Sequence, residues 1–593
     1  MPAGGVGASP VELISPVIKV GGAQVPEEAA LVQLDIDLGL NLVGRATLRY
    51  LERSFDVMVL PKFSLGTEVT IGTLADGVDE KNLFKGLVTG VSLEQDSTSG
   101  TVLTVTVDDG AHKLGQHTQN TAFLNSTYSD VITKMVGGTG LQSDIDATTQ
   151  AHPYLLQTGT NLAYLDWIVG RCGMVWWVDY GKLMVKKISA PPSSVAAEVS
   201  LTHDLIRLST RASGLHTGKV TVTGWDDAQQ AAVANVADKK ATPESTLAEK
   251  FPGRVTPSGV GTKVSGASPL TADEAKLVSE TMLAESTSAA VTTRGTCYAN
   301  GAIKPFTKVK VTNAGPASGT YLVTRVQHVF AADGFVTHFT AGPIRPEGLV
   351  DLLAAPVQSA GATISGLLVG VVTNINDNEG KIGRVKVKFP TIGSDIESEW
   401  ARVVTLGGGA SRGVVFQPEV NDEVLVGFEQ GDTRRPVVLG GLFSKKNALP
   451  TSDNVDPGGK VTYRRINSRT GHLIEMADGT SPDKKHILLK TSNGHLIRLG
   501  EDKLELTVAD KPVTITNGKA TIEFTASGDI NIEGMNINIK AKTGIKIEGA
   551  QVEAKASGTA KIESPMLDVK ASGTATVDGG GMLTLKGGMV AIN

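Results

Sequence analysis

Apolar and polar positions alternate along the chain in three successive patterns. In the first, to about Pro356, strand and helix periods are mixed. Val32, Leu34, Ile36 and Leu38 alternate with Gln33, Asp35 and Asp37, the period of a half-buried strand. Residues 84–93, 102–107, 306–312, 321–330 and 335–340 read as further strands. Residues 129–136 place Val131, Ile132, Met135 and Val136 on one side and predict a helix that Gly137 stops. Residues 160–172 predict another, with Leu162, Leu165, Ile168 and Val169 as its apolar face and Gly173 after it. A hairpin is expected across Asp179-Tyr180-Gly181, between 175–178 and 182–185. Residues 228–269, polar and rich in Ala, Gly and Pro, read as a long surface loop. Thr271-Ala272-Asp273-Glu274 fits a capping box opening a helix to about Ala289.

The second pattern spans residues 364–443. It holds five short strand-like segments, at 367–373, 383–389, 400–405, 423–428 and 436–442. Val385, Val387 and Phe389 alternate with Lys386 and Lys388. Turns fall at Asn376-Asp377-Asn378-Glu379-Gly380 and at 418–422. Five short strands in so few residues predict a small closed barrel of the OB type.

The third pattern, residues 461–593 after a turn-rich linker at 444–460, is a repeat. Triplets such as Ile530-Asn531-Ile532, Ile537-Asn538-Ile539 and Ile545-Lys546-Ile547 recur to Val590-Ala591-Ile592. Eight steps cover 60 residues, a mean of 7.5. That period is too short for a helix pair or a propeller blade and predicts a β-solenoid. Two small apolar side chains cannot offset the entropy of ordering each repeat, at roughly 1–2 kcal/mol per residue. Three chains wound together would give every strand neighbours and bring the apolar pairs to one axis. The expected trimer core is Ile530, Ile532, Ile537, Ile539, Ile545, Ile547, Val552, Ile562, Leu567, Val569, Val577, Leu583 and Leu585. Asn531, Glu533, Asn538, Lys540, Lys546, Glu548, Glu553, Lys555, Lys561, Glu563, Asp568 and Lys570 then face water. A separate tip protein is expected on Met589, Val590, Ala591, Ile592 and Asn593, where the repeats run out.

Composition narrows the function. The 593 residues exceed one core and predict several domains. With 56 Lys and Arg against 61 Asp and Glu, the net charge of −5 gives no argument for nucleic acid. Gly at 68 and aromatics at 5% suit many turns and short strands. The two cysteines, Cys172 and Cys297, exclude a disulfide framework and read as buried thiols. Residues 1–15 lack the pattern of a cleaved signal peptide, and no apolar run is long enough to cross a bilayer. Synthesis in the cytoplasm is therefore expected.

Four motifs then stand in order: Gly383-Arg384-Val385-Lys386-Val387-Lys388-Phe389-Pro390, Glu399-Trp400-Ala401-Arg402-Val403, the run from Pro418 to Val426, and the run from Gly431 to Gly440. Together they resemble the OB domain of VgrG proteins and phage baseplate spikes. Leu83–Thr89, Leu162–Trp167 before Gly173-Met174, and Val220–Trp225 resemble that family's hub, and the repeats its spike. The resemblance implies a mainly β, multidomain chain. It comprises an α+β hub with two barrel-like subdomains at 1–356, the OB barrel at 364–443 and an intertwined trimeric β-helix at 461–593. It further implies a homotrimer stacked under an inner tube of a contractile, phage-tail-like injection system. Baseplate proteins, a PAAR-type tip protein and cargo effectors are its implied partners. Sheath contraction would drive the spike out of the particle and through a target envelope. About 20 turn-rich residues follow Leu442, which leaves no room for the lysozyme domain that some phage relatives insert there. The blunt end and lean layout fit an extracellular injection system slightly better than a type VI one.

Candidate chemistry is sparse. Gly407–Gly413 lacks the Gly-Lys-Ser/Thr ending of a phosphate cradle and reads as a loop of the barrel. Asp422 and Glu423, adjacent at a strand start, point apart. The ten histidines show no metal-ligand spacing, and His486 and His495 read as surface residues. Lys386, Lys388, Arg434 and Arg435 lack the aromatic interleaving of a nucleic-acid face. No catalytic, cofactor or metal site is expected. The competing expectation is a spike carrying an unrecognised envelope-degrading hydrolase in the first region.

Overall fold

The computed structural model describes residues 15–25, 29–52, 60–75, 79–96, 100–116, 118–214, 217–227, 229–238, 261–264, 269–344, 363–378 and 380–592. The chain divides into two compact units, Met1–Leu449 and Pro450–Asn593. The expected hub–barrel boundary near Pro356 lies outside the described residues.

In the first unit, one thirteen-stranded sheet runs around two separate apolar cores. Ser15–Val20, Ala30–Gly39, Arg45–Glu52, Glu68–Ala75, Asp79–Asp96 and Gly100–Asp108 surround the first. Val195–Ser200, Leu205–Ala212, Val291–Tyr298, Lys308–Thr312, Gly319–Ala331 and Gly334–Ala341 surround the second. The halves meet where Gly319–Ala331 pairs antiparallel with Ala30–Gly39. Alternation decides the faces there: Leu34 and Ile36 are fully buried. Asp35 and Asp37 point the other way and accept from Gln327 and Arg325 at 3.0 and 2.8 Å.

A helical layer lies between these barrel-like halves in sequence: α1 (His112–Gln116), α2 (Tyr128–Gly137), α3 (Asn161–Cys172) and, farther on, α4 (Ala272–Ser288). Thr127 and Asp130 form a reciprocal capping box on α2. Thr160 caps α3 by accepting from Ala163 N–H, and Gly173, at φ 66°, ends it in the left-handed conformation. A Cβ at Gly173 would also meet Thr281 Oγ1 at 2.9 Å. Tyr180 and Gly181 both take positive φ, 44° and 86°, as a two-residue hairpin turn requires between Met174–Asp179 and Lys182–Lys187.

The loop expected over 228–269 contains strands. Ala231–Ala237 pairs with Val220–Asp226, and Thr262–Val264 lies parallel to the same strand. Long-range pairing against the buried Val220 and Val222 overrides the low strand preference of an alanine-rich run. Residues 228, 239–260 and 265–268 of that segment lie outside the described residues.

The OB barrel has five strands, Leu368–Asn374, Lys386–Lys388, Arg402–Val403, Glu423–Phe428 and Pro436–Gly441. They run in the order second, first, fourth, fifth, third. The third and fifth are parallel, and bridges Val385↔Ala401 and Lys388↔Glu397 close the ring. Val372, Val385, Val387, Phe389, Val424, Val426 and Val438 fill it, and Tyr154 and Leu156 of the hub strand Ala151–Thr160 join the same cluster. Hub and barrel therefore share apolar packing.

In the second unit, Tyr463–Asn467, Leu473–Asp478, Lys485–Lys490, Leu496–Gly500 and Leu504–Thr507 form an antiparallel meander. Val513–Thr516, Thr521–Phe524 and Ile530–Glu533 form a second, smaller one. These hairpins pair within one chain, so the first part of the region read as a repeat is locally folded. Of the nine triplets, only Ile530-Asn531-Ile532 lies in such a strand. From Met535 to Ile592 every residue is exposed.

Candidate functional site

Two features stand out: a buried charge knot between hub and barrel, and the apolar surfaces of the second unit. The knot is built on Arg434, in the turn before the fifth barrel strand. Its side chain is 3% exposed, as is that of Glu274 on α4. Arg434 Nη1 donates to Glu274 Oε1 at 2.9 Å, and Nε and Nη2 donate to Asp432 at 3.0 and 2.7 Å. Arg171, near the end of α3, also donates to Glu274 Oε1, while its guanidinium lies 5.1 Å from the Trp167 ring centre. Burial pushes the Glu274 carboxyl up, but Arg434 and Arg171 outweigh it and hold the group at about 2. Burial raises and Arg434 lowers Asp432, with a net shift down, and Arg434 itself is held well above its ordinary value.

The capping box expected at Thr271 is half formed. Thr271 accepts from Glu274 N–H at 3.2 Å. Glu274 Oε2 instead accepts from Leu270 N–H at 2.8 Å, and its other oxygen is taken by the arginines. The pattern marked the helix start correctly and missed the residue's main partners, which are 103 and 160 positions away.

Beside the knot is a cavity of about 270 Å³ lined by His152, Tyr154, Arg384, Trp400 and Arg435. Burial, then Arg434, pushes the His152 imidazole down to about 4, so it is neutral near pH 7. The knot's carboxylates are pinned by guanidinium groups and offer no acid poised near neutrality. Among the described residues there is no group of three or more His, Cys, Asp or Glu placed to hold a metal.

Cys172 and Cys297 are both buried thiols. Gly408–Gly409 pairs with Arg412–Gly413 in a tight hairpin. Asp422 accepts from Glu419 N–H at 2.8 Å and so braces a turn. Arg434 is internal, and Lys386 lies 5.6 Å from the Trp400 ring centre while paired with Glu397 at 3.3 Å. His486 is not a surface residue: its side chain is 12% exposed and Nε2 lies 3.0 Å from Glu475. His495 is half-buried and accepts from Ala509 N–H at 3.3 Å.

The second unit presents its apolar residues to the outside. On the five-stranded meander, Ile466 faces Ile474, Ile487 faces Leu499, and Leu489 faces Ile497, which faces Leu506. All of these are exposed, whereas the opposite face holds Arg465 in an ion pair with Glu475, and His486 beside the same carboxylate. Farther on, all thirteen residues expected in a trimer core are exposed. Lys546 pairs with Glu548, Lys561 with Glu563 and Lys570 with Asp568, positions two apart and hence on one side. Met589, Val590, Ala591 and Ile592 are exposed, and Asn593 lies outside the described residues.

Residues 368–443 match the type VI secretion system/phage-baseplate injector OB domain, and residues 10–331 match the Alg8 N-terminal domain. The type VI secretion system spike protein VgrG5 of Pseudomonas aeruginosa is 32% identical over 161 residues, covering 23% of this chain and 19% of that protein. VgrG3 of Vibrio cholerae is 25% identical over 161 residues, covering 26% and 16%. The chain thus spans less than a fifth of the length of these curated relatives. A solved Escherichia coli type VI secretion component, described as similar to the T4 tail proteins gp27 and gp5, covers 72% of this chain and 99% of its own. Its identity is 16% and its TM-score 0.47. The chain of a Francisella PdpA–VgrG complex covers 88% of each at 9% identity and TM-score 0.48.

The chain carries the type VI secretion system/phage-baseplate injector OB domain at residues 368–443, and part of it is similar to VgrG spike proteins. It belongs to the family of the Alg8 N-terminal domain, whose match covers more than half of its length.

Proposed function

We propose that this protein is the homotrimeric central spike of a contractile injection system, the hub seated under the inner tube and the C-terminal repeats carrying a PAAR-type tip. In this reading the protein is made in the cytoplasm and built into a particle that also contains baseplate proteins. Sheath contraction drives it, with any cargo effectors, through a target envelope. One observation carries the proposal: beyond Ile530–Glu533 the triplets expose apolar side chains on one side and carry ion pairs on the other. An isolated chain of this kind leaves its apolar side in water, at about 1.5–3 kcal/mol for each large side chain left uncovered. Three chains sharing an axis cover those residues and give each strand hydrogen-bonding neighbours. The apolar face of the five-stranded meander gains cover in the same way. The proposed trimer core is the thirteen residues from Ile530 to Leu585 named above.

The purified full-length protein should sediment as a trimer, and removal of residues 461–593 should weaken association severely. A stable full-length monomer at micromolar concentration would sink the proposal. A second prediction concerns the tip. Met589 and Ile592 are 88% and 85% exposed. Deleting residues 589–593 should abolish capture of a PAAR-type tip protein while the trimer and its contact with tube protein persist. Retention of the tip by the truncated spike in a pull-down would remove this segment from the tip site.

A further inference from the structure

Strands of the OB barrel have apolar residues on both faces. Inside, Val372, Val424, Val426 and Val438 are fully buried. Outside, Leu367, Val369 and Leu439 are exposed, with Val369 directly opposite Leu425 across the ladder. Leu367 and Leu439 both lean over Gly427, where a Cβ would meet them at 3.2 and 3.7 Å. The result is an outward apolar stripe across the first, fourth and fifth strands. Continuous apolar runs of this kind belong to strands covered on both sides.

The same barrel carries a protrusion. After the third strand, the hairpin at 404–416 closes through Gly408–Gly409 and Arg412–Gly413, with Val414 N–H donating to Gly407 O at 3.1 Å. Its apolar side chains stand in the open: Leu406 is 94% exposed, Val415 86% and Phe416 64%. The hairpin therefore does not lie on its own barrel's stripe.

We infer that the 404–416 hairpin of one protomer lies across the outer stripe of the next protomer's barrel, Leu367, Val369 and Leu439, in a head-to-tail ring of three. The inference rests on the trimeric reading given above. Knob and stripe occupy different places on one barrel, so the contact is heterologous, and such contacts close when the rotation returns to its start. Leu406, Val415 and Phe416, left open on one protomer, are the apolar surface that such a contact would cover. Charge agrees as well. Arg412 is the hairpin's charged residue. The stripe's far end is acidic, with Glu423 opposite Val371 and with Glu419 and Asp422 in the turn just before it, while Lys388 flanks Val371 on the other side.

The test is a chain carrying both Val415→Cys and Val369→Cys, oxidised in the full-length protein, with a short bis-maleimide as a second linker where disulfide geometry is unfavourable. The native thiols are buried. Monomer should be lost from denaturing gels without reductant and replaced by covalent dimer and trimer. Each single substitution alone should leave only monomer there. A protein that is trimeric in solution but never links would overturn the inference and leave the trimer standing. Linkage of Val415→Cys alone would mean hairpin meets hairpin and would also overturn it. A protein that is monomeric in solution would bring down the trimeric reading and this inference with it.

Discussion

Ile547→Asp should abolish trimer assembly of the full-length protein, and Lys546→Asp should leave it intact. The two positions are neighbours in one triplet, both exposed in the single chain. Their expected fates differ because alternation sends them to opposite sides. On a shared axis, Asp at 547 in three chains would bring three carboxylates into an apolar core without counter-charge, a cost of several kcal/mol for each ion. At 546 the substitution breaks the pair with Glu548 on the solvent side, an interaction worth at most about 1 kcal/mol. Sedimentation of both variants at one concentration decides the matter. Equal losses would overturn the division into inward and outward faces, and loss at Lys546 alone would mean that the faces are inverted, with the charged ladder on the axis.

Glu274→Ala should destabilise the hub–barrel unit by roughly 3–5 kcal/mol, because Arg434 and Arg171 would remain buried without their shared carboxylate. Chemical denaturation of the full-length protein, followed at the buried Trp176, reads this loss. The quadruple variant Glu274→Leu, Arg171→Met, Arg434→Met and Asp432→Asn should recover much of it, since removing all four charges also removes their desolvation cost. The pH dependence has a definite sign. Glu274 is held at about 2, below its ordinary 4.5, so its contribution is present above roughly pH 4.5 and is lost as pH falls through about 2. The natural protein should lose stability across that window, and the quadruple variant should lose less. A cost below about 1 kcal/mol for Glu274→Ala would show that the knot is not what ties hub to barrel.

Much of the architecture was legible because it is written in short periods. The strand at Ala30–Gly39, the helix Asn161–Cys172 with its Gly173 stop, and the five barrel strands each follow from apolar spacing and turn residues within a few positions. The strand Ala231–Ala237 was missed for the complementary reason. Its alanines carry little preference of their own, and Val220–Asp226 supplies the partner that makes it a strand. His486 misled in a similar way. Only the pairing of Leu473–Asp478 with Lys485–Lys490 and the turn of the pleat bring it onto Glu475.

By itself the sequence determined the mainly β character, the OB strands, the period of 7.5 and the opposite faces of each triplet, since all of these depend on neighbours within a single repeat. The tertiary structure decided what joins the regions of the first unit. Tyr154 and Leu156 enter the barrel's apolar cluster, and Glu274 leaves its helix cap to meet an arginine 160 positions away. No local pattern encodes such a partner. A buried charge is stable only where the fold delivers its counter-charge, and that delivery depends on how every intervening strand has paired.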